Sequence, residues 1–249
     1  MRRANRTRLT CFALCLVTLL PLSCHAQQVA EYFAQYKASA NGIAATAERR
    51  LTRLGDNSFR LTNQLQAVFA GQVIARLEQT SELEITGSHV RPLAYSYQLS
   101  GIASAVQAIA YNWDAAIALS SEGENSWQLA LDAEVQDPLS IQFALRQAFN
   151  EDLNRNQLLQ FKVIDKDEIE IHRYRIVADE ILQTPLGRLN SVRLERVREG
   201  SGSRTTTIWL ARDWHYLLIK IEQVNGSGLQ IELELESATV NGQPVLALP

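Results

Sequence analysis

Near the end of the chain, Leu229, Ile231, Leu233 and Leu235 alternate with Gln230, Glu232, Glu234 and Glu236. A period of two sends the aliphatic side chains to one face and the charges to the other, so this segment is a strand with one buried face. Leu93, Tyr95, Tyr97 and Leu99 alternate with Ala94, Ser96, Gln98 and Ser100 in the same way. Glycine punctuates the first half at Gly42, Gly55, Gly71, Gly87, Gly101 and Gly123, at intervals of 13, 16, 16, 14 and 22 residues. That spacing suits long antiparallel strands joined by tight turns. Asn41-Gly42, Gly55-Asp56-Asn57 and Asn225-Gly226 favour positive φ, and Gly200-Ser201-Gly202-Ser203 reads as a flexible hairpin tip.

One stretch breaks the rhythm. No glycine occurs from 124 to 186, and Asp137-Pro138 precedes Ile141, Leu145, Ala148 and Phe149 at helical spacing. Asp before Pro is a cap followed by a first helical residue, so a helix is expected over about 138 to 153. Strands are expected to resume near 158–164 and 168–178, and again near 189–199, 204–211, 216–224 and 228–238. Asn241-Gly242-Gln243-Pro244 then begins a short tail. The expectation is a mainly β chain of about a dozen long antiparallel strands in a strongly curved sheet or an open or closed barrel. One short helix acts as its lid or plug. With 46% apolar residues in 249, one β-rich domain over 27–249 has enough material for a core.

Residues 1–26 read as an export signal. Arg2, Arg3, Arg6 and Arg8 form a cationic start without acids, Leu9 to Leu22 is apolar apart from small residues and Pro21, and Ala26 is a small cleavage residue. Removing those four arginines leaves 20 basic against 27 acidic residues, a charge of −7. Nucleic acid is not an expected partner of such a chain. Cys11, Cys15 and Cys24 all precede Gln27, so disulfides and thiol catalysis are not expected. Periplasmic export with cleavage after Ala26 is the reading; lipid attachment at Cys24 is the alternative.

The chain carries Arg91-Pro92-Leu93 leading to Tyr95-Ser96-Tyr97, then Trp113-Asp114, Asp137-Pro138-Leu139-Ser140 and Thr184-Pro185-Leu186-Gly187. Val192-Arg193-Leu194-Glu195-Arg196, Ile208-Trp209-Leu210-Ala211 and Leu217-Leu218-Ile219-Lys220-Ile221-Glu222 follow. In this order they resemble the exported bacterial family of unknown function DUF 3108, with Leu218 where that family is expected to carry proline. The resemblance implies a periplasmic β-rich protein and carries over no catalytic residue. The Trp-bearing strand, the Arg212-Asp213-Trp214-His215 turn and the following strand are also similar to the half-barrel of periplasmic lipoprotein carriers. That likeness implies a concave sheet that holds acyl chains or lipoproteins.

Chemistry-bearing motifs are sparse. His89, His172 and His215 are too far apart in sequence to form a spaced ligand pair, so no metal and no cofactor is expected. His172 is read as a hydrogen-bonded histidine on a half-buried strand. Arg193, Arg196, Arg198 and Arg204 are read as a mixed-charge solvent face, with an anion site as the alternative. No nucleophile elbow, calcium loop or phosphate loop is present, so the chain is not expected to be an enzyme. The binding candidates are Tyr95, Tyr97, Trp113, Leu145, Phe149 and Trp209, large apolar groups near small residues such as Ala108 and Ala110. They suggest an apolar pocket between helix and sheet for a lipid, an amphiphile or a lipidated partner. The other class is a structural or regulatory module that engages envelope proteins through strand edges.

Overall fold

The N-terminal strand closes against the last long strand, and this pairing organises everything else. The computed structural model describes residues 29–149, 157–198, 204–226, 228 and 230–249. The proposed signal with its cysteines, the Gly200-Ser201-Gly202-Ser203 tip and Leu229 lie outside the described residues.

The first half runs β1 (Tyr32–Ala40), β2 (Ile43–Arg53), β3 (Ser58–Phe69), β4 (Gln72–Thr86), β5 (His89–Gly101), β6 (Ala105–Asn112), β7 (Ile117–Glu122) and β8 (Asn125–Ala130). A short β9 (Val135–Gln136) and the helix α1 (Ser140–Ala148) follow. The second half runs β10 (Leu158–Asp165), β11 (Glu168–Thr184), β12 (Gly187–Val197), β13 (Thr205–Ala211), β14 (Leu217–Val224), β15 (Gln230–Val240) and β16 (Gln243–Pro244). All sixteen lie in one sheet, in the order β8 back to β1, then β15 back to β9, with β16 on β15. Each half is a meander, and nine antiparallel pairs from Tyr32↔Val240 to Ala40↔Ile231 fuse the two. Among the described residues the β9–β10 pair alone is parallel.

The sheet is curved but not closed, because β8 and β9 are its two ends and do not pair. Side chains span the gap instead: Lys166 lies 3.0 Å from Glu122, and Lys162 pairs with Asp132. Exposed ion pairs of this kind contribute little compared with a hydrogen-bonded ladder. Curvature comes from bulges, where an extra residue bends a strand and reverses its alternation. One falls at Leu93, so that Leu83 pairs with Pro92 while Glu82 pairs with Ala94. The uninterrupted alternation expected for β5 is therefore corrected, and Val90 and Pro92 join Tyr95 on the inner face while Leu93 sits between phases.

The inner face carries the core. Leu83, Leu194, Leu235 and Leu139 have no exposed surface, and Leu51, Phe59 and Tyr36 are at 1%. The helix lies inside the curl with Ile141, Phe143, Ala144 and Leu145 all buried, so it is a plug rather than a surface lid. Its start is the expected Asp-Pro cap. Asp137 accepts from the backbone N–H of Leu139 at 2.8 Å and of Ser140 at 2.7 Å, and the Ser140 hydroxyl accepts from the Asp137 N–H at 2.8 Å. This is a reciprocal capping box with serine in the returning position. Beyond Ala148 the helix was expected to reach about residue 153; positions 150–156 lie outside the described residues.

The C-terminal residues are no free tail. Asn241 and Gly242 turn the chain into β16, Val245 donates to the Ala238 carbonyl at 2.8 Å, and Leu248 donates to Arg188 at 2.7 Å.

Gly101 ends β5 with φ at +110°, and a Cβ there would stand 2.1 Å from the Ile74 carbonyl oxygen. Gly123 also has a positive φ, +58°, but open space around it. Gly101→Ala is expected to destabilise the protein by several times the ~1 kcal/mol expected of Gly123→Ala, as measured by urea unfolding.

Candidate binding cavity

The polar wall of the interior is set by strand register. Arg49 pairs with Asn63, and Asn63 with Gln79, at inward positions of β2, β3 and β4. Arg49 Nε donates to Asn63 Oδ1 at 3.1 Å, Asn63 Nδ2 to Gln79 Oε1 at 2.7 Å, and Gln79 Nε2 to the Tyr95 hydroxyl at 3.0 Å. Arg49 also donates to Gln142 on the helix. The row thus crosses four strands and fastens the helix to the sheet.

Beside this row lies a cavity of about 920 Å³, bounded by the inner faces of β1–β6 and β10–β14 and by α1. This volume falls within the ~300–1,000 Å³ range common for small-molecule sites. Its apolar surfaces come from Leu61, Leu139, Ile141, Leu145, Val163, Ile208, Leu210, Leu218 and Ile221. At the end formed by the start of β11, the end of β12 and the start of β13, the lining changes to Asp165, Glu170, His172, Arg196, Arg198, Arg204 and Gln223. Asp165, Ile171 and Arg204 are the exposed members of the lining, so the cavity meets solvent here.

Of the six binding candidates, Tyr95, Tyr97 and Leu145 line this cavity. Trp113, Phe149 and Trp209 do not. Trp113 stacks on Tyr111 at 5.6 Å and donates to the Pro92 carbonyl at 2.7 Å, beneath the Arg91 guanidinium. Phe149 stacks on Tyr216 at 4.6 Å. Trp209 sits on the opposite face of β13 from Ile208 and Leu210, where it donates to Glu180 at 2.6 Å. The cavity wall is also mixed rather than apolar, because inward positions of β11–β14 near the opening carry polar residues.

The arginine group resolves differently from the mixed solvent face expected. Arg196, Arg198 and Arg204 line the opening, and Arg193 alone turns away, 3.9 Å from Glu180. Arg198 donates to the Thr206 hydroxyl, Arg204 to Gln223, and Arg196 reaches Glu170 at 3.5 Å. Burial, with Arg196 and Arg204 nearby, lowers Arg198 to a pKa of about 10. Arg49, Gln142 and Arg146 lie on the cavity wall but belong to no motif. No signal in the sequence marks them, because polar residues on a strand or helix are ordinarily assigned outward.

A family model for the protein of unknown function DUF3108 matches residues 35–235. None of the curated proteins matches the sequence. Among solved structures, the chain is similar to a β-barrel-like protein of the domain of unknown function DUF1849 from Brucella abortus. The two share 8% identity and a TM-score of 0.55, over 84% of this chain and 97% of that one. A candidate exported protein with a YmcC-like fold from Bacteroides fragilis gives 12% identity and a TM-score of 0.40, over 84% of this chain and 95% of that one. A candidate lipoprotein from Parabacteroides distasonis gives 9% and 0.37, over 84% and 95%.

Two groups near the cavity give opposite pH signatures. Burial raises the Asp137 pKa from 3.8 to about 6, against hydrogen bonds from Ser81, Ser140 and Leu139. Burial, reinforced by Arg196 and Arg198, lowers His172 from 6.5 to about 4, against its contact with Glu170. Between those values the folded protein holds a proton on Asp137 that the unfolded chain releases, so this contribution to stability declines as pH rises from about 4 to about 6. At His172 the unfolded chain holds the proton, so its contribution grows as pH rises from about 4 to 6.5. Relative to wild type, Asp137→Asn is expected to show a stability that climbs more steeply with pH across this window, and His172→Gln one that falls. Chemical denaturation at half-unit pH steps measures both, and parallel profiles for all three proteins would refute the assignment.

Proposed function

The chain belongs to the DUF3108 family, and from that premise we propose that it is a non-catalytic protein of the bacterial envelope that holds an amphiphile or a lipidated partner segment in its interior cavity. One observation carries this reading: α1 plugs the curved sheet without filling it, and leaves about 920 Å³ between helix and concave face. Leu61, Ile141, Leu145, Ile208 and Ile221 offer an acyl chain an apolar channel. Each methylene buried there contributes about 0.8 kcal/mol, so eight supply about 6 kcal/mol before the cost of association. Among the described residues no group of three His, Cys, Asp or Glu could hold a metal ion.

Export is supported by the cationic start, the apolar run and Ala26, and the periplasm is the compartment we assign. A partner that binds outside the cavity is a second reading with its own observation. Phe69 is 64% and Ile102 79% exposed at adjoining tips of β3 and β5, where Ile102 donates to the Ile74 carbonyl. Apolar groups gathered at one rim suit contact with another envelope protein.

Protein recovered from the periplasm is expected to have the mass of a chain that starts at Gln27; a diacylglyceryl adduct on Cys24 would overturn that assignment. Purified mature protein is expected to carry lipid in native mass spectrometry and to bind a fluorescent fatty acid saturably. Leu145→Trp, which fills the channel, should weaken binding at least tenfold, and Trp113→Phe should leave it unchanged. Absence of saturable binding would remove the cavity reading and leave the rim.

A further inference from the structure

We propose that the cavity takes its ligand as an anion, with a carboxylate or phosphate group seated between Arg49 and Arg146. The proposal rests on the reading of the cavity as a ligand site, and adds the charge and placement of the ligand.

Both arginines are 7% exposed and both line the cavity, Arg49 from β2 and Arg146 from the helix. Their partners are neutral. Arg49 donates to Asn63 and Gln142, and its guanidinium lies 5.7 Å from the centre of the Tyr36 ring. Arg146 Nε donates to the His215 carbonyl at 3.0 Å, its guanidinium lies 4.7 Å from the Tyr32 ring and 5.2 Å from Phe143, and its Nη1 has no hydrogen-bond partner. None of the ion pairs among the described residues includes either arginine. Asp137, the buried acid at the head of the same helix, is committed to Ser81, Leu139 and Ser140. Burial holds the Arg146 guanidinium below its ordinary pKa, as expected of a charge deprived of water with no counterion among the described residues.

Buried guanidinium groups are normally matched by carboxylates, because an uncompensated charge in a water-poor interior is costly. Here two of them border an open volume, joined through Gln142, which Arg49 reaches and which precedes Arg146 by one helical turn. An oxyanion entering that volume would supply a counter-charge to the two guanidinium groups that border it. The same chemistry would serve a fatty-acid carboxylate, a lipid phosphate or a small free anion. The apolar channel past Leu145 and Ile208 favours an anion that carries a chain. The arginines at the opening would raise the local concentration of such a ligand.

Delipidated mature protein titrated with dodecanoate, dodecyl phosphate, dodecanol and inorganic phosphate tests this. At least one of the charged amphiphiles is expected to bind at least tenfold more tightly than dodecanol. Arg146→Met should abolish the preference, Arg146→Lys should retain much of it, and the ligand-free thermal midpoint of Arg146→Met should be unchanged or higher. Should the variants fold poorly, the wild-type comparison of dodecanoate and dodecyl phosphate with dodecanol decides alone. Inorganic phosphate binding as tightly as dodecyl phosphate would keep the arginine site, assign it to a free anion, and refute the amphiphile reading. Dodecanol binding as tightly as both charged amphiphiles, or a preference that survives in folded Arg146→Met, would overturn the anion site and leave the cavity reading intact. Binding of none of the four would overturn both.

Discussion

The antiparallel ladder between β1 and β15 is the constraint on which the rest depends. It joins the two ends of the described chain: Ser237 and Gln35, 202 positions apart in sequence, share a hydrogen bond of 3.0 Å. Without it there would be two separate meanders, each with an apolar face and nothing to cover it. With it, Tyr36 on β1 reaches past β15 to donate to the Leu218 carbonyl on β14 at 3.0 Å. The entropic cost of closing so long a loop grows only slowly with its length, so nine paired residues readily offset it. The penalty falls on rate, since such non-local pairing delays folding more than it weakens the product. The opposite ends of the sheet, β8 and β9, have no such ladder, and the surface ion pairs from β10 and its turn to Asp132 and Glu122 are what an open curl leaves.

Much of this fold is legible in the residues. Alternation at Tyr95–Leu99 and Leu233–Leu235, glycines at the turns and Asp137-Pro138 at the helix each report a local preference that the tertiary structure keeps. The bulges are not legible, because each depends on which residues of the partner strand it must face. Leu93 continues a flawless alternating pattern, yet Ser81 takes Tyr95 and Leu83 takes Pro92, so the extra residue must fall between them. Edge status is equally hidden, for β8 reads like any interior strand.

The cavity was partly legible for the same reason. Tyr95, Tyr97 and Leu145 follow from period and helical stripe, whereas Trp113 lies in the turn after β6 and Trp209 shows that an aromatic on a strand says nothing about which face it takes. The polar residues of the interior were beyond reach. Arg49 and Asn63 alternate with Glu48 and Thr62, so hydropathy gives no preference between the two faces. Only the register with Leu51 and Leu61, two positions along the same strands, turns them inward.

The position of the helix then decides how the interior communicates with solvent. A lid would be held by apolar contact on one side and would leave through a single weak face. This helix is buried on several sides, capped through Asp137, tied to β4 by the 2.6 Å bond from Ser81, to β2 by Arg49 and to the β13–β14 turn by Arg146. Releasing it would expose Ile141, Phe143 and Leu145 together and break the bonds from Ser81, Arg49 and Arg146 that tie it to three parts of the sheet. The opening to solvent lies at the opposite end, where Arg204 is exposed and the lining is polar. A ligand would therefore enter past cations and travel inward over aliphatic walls toward further cations. On the proposed reading the helix is the rigid floor of that path, and its inward surface combines Ile141 and Leu145 with Gln142 and Arg146.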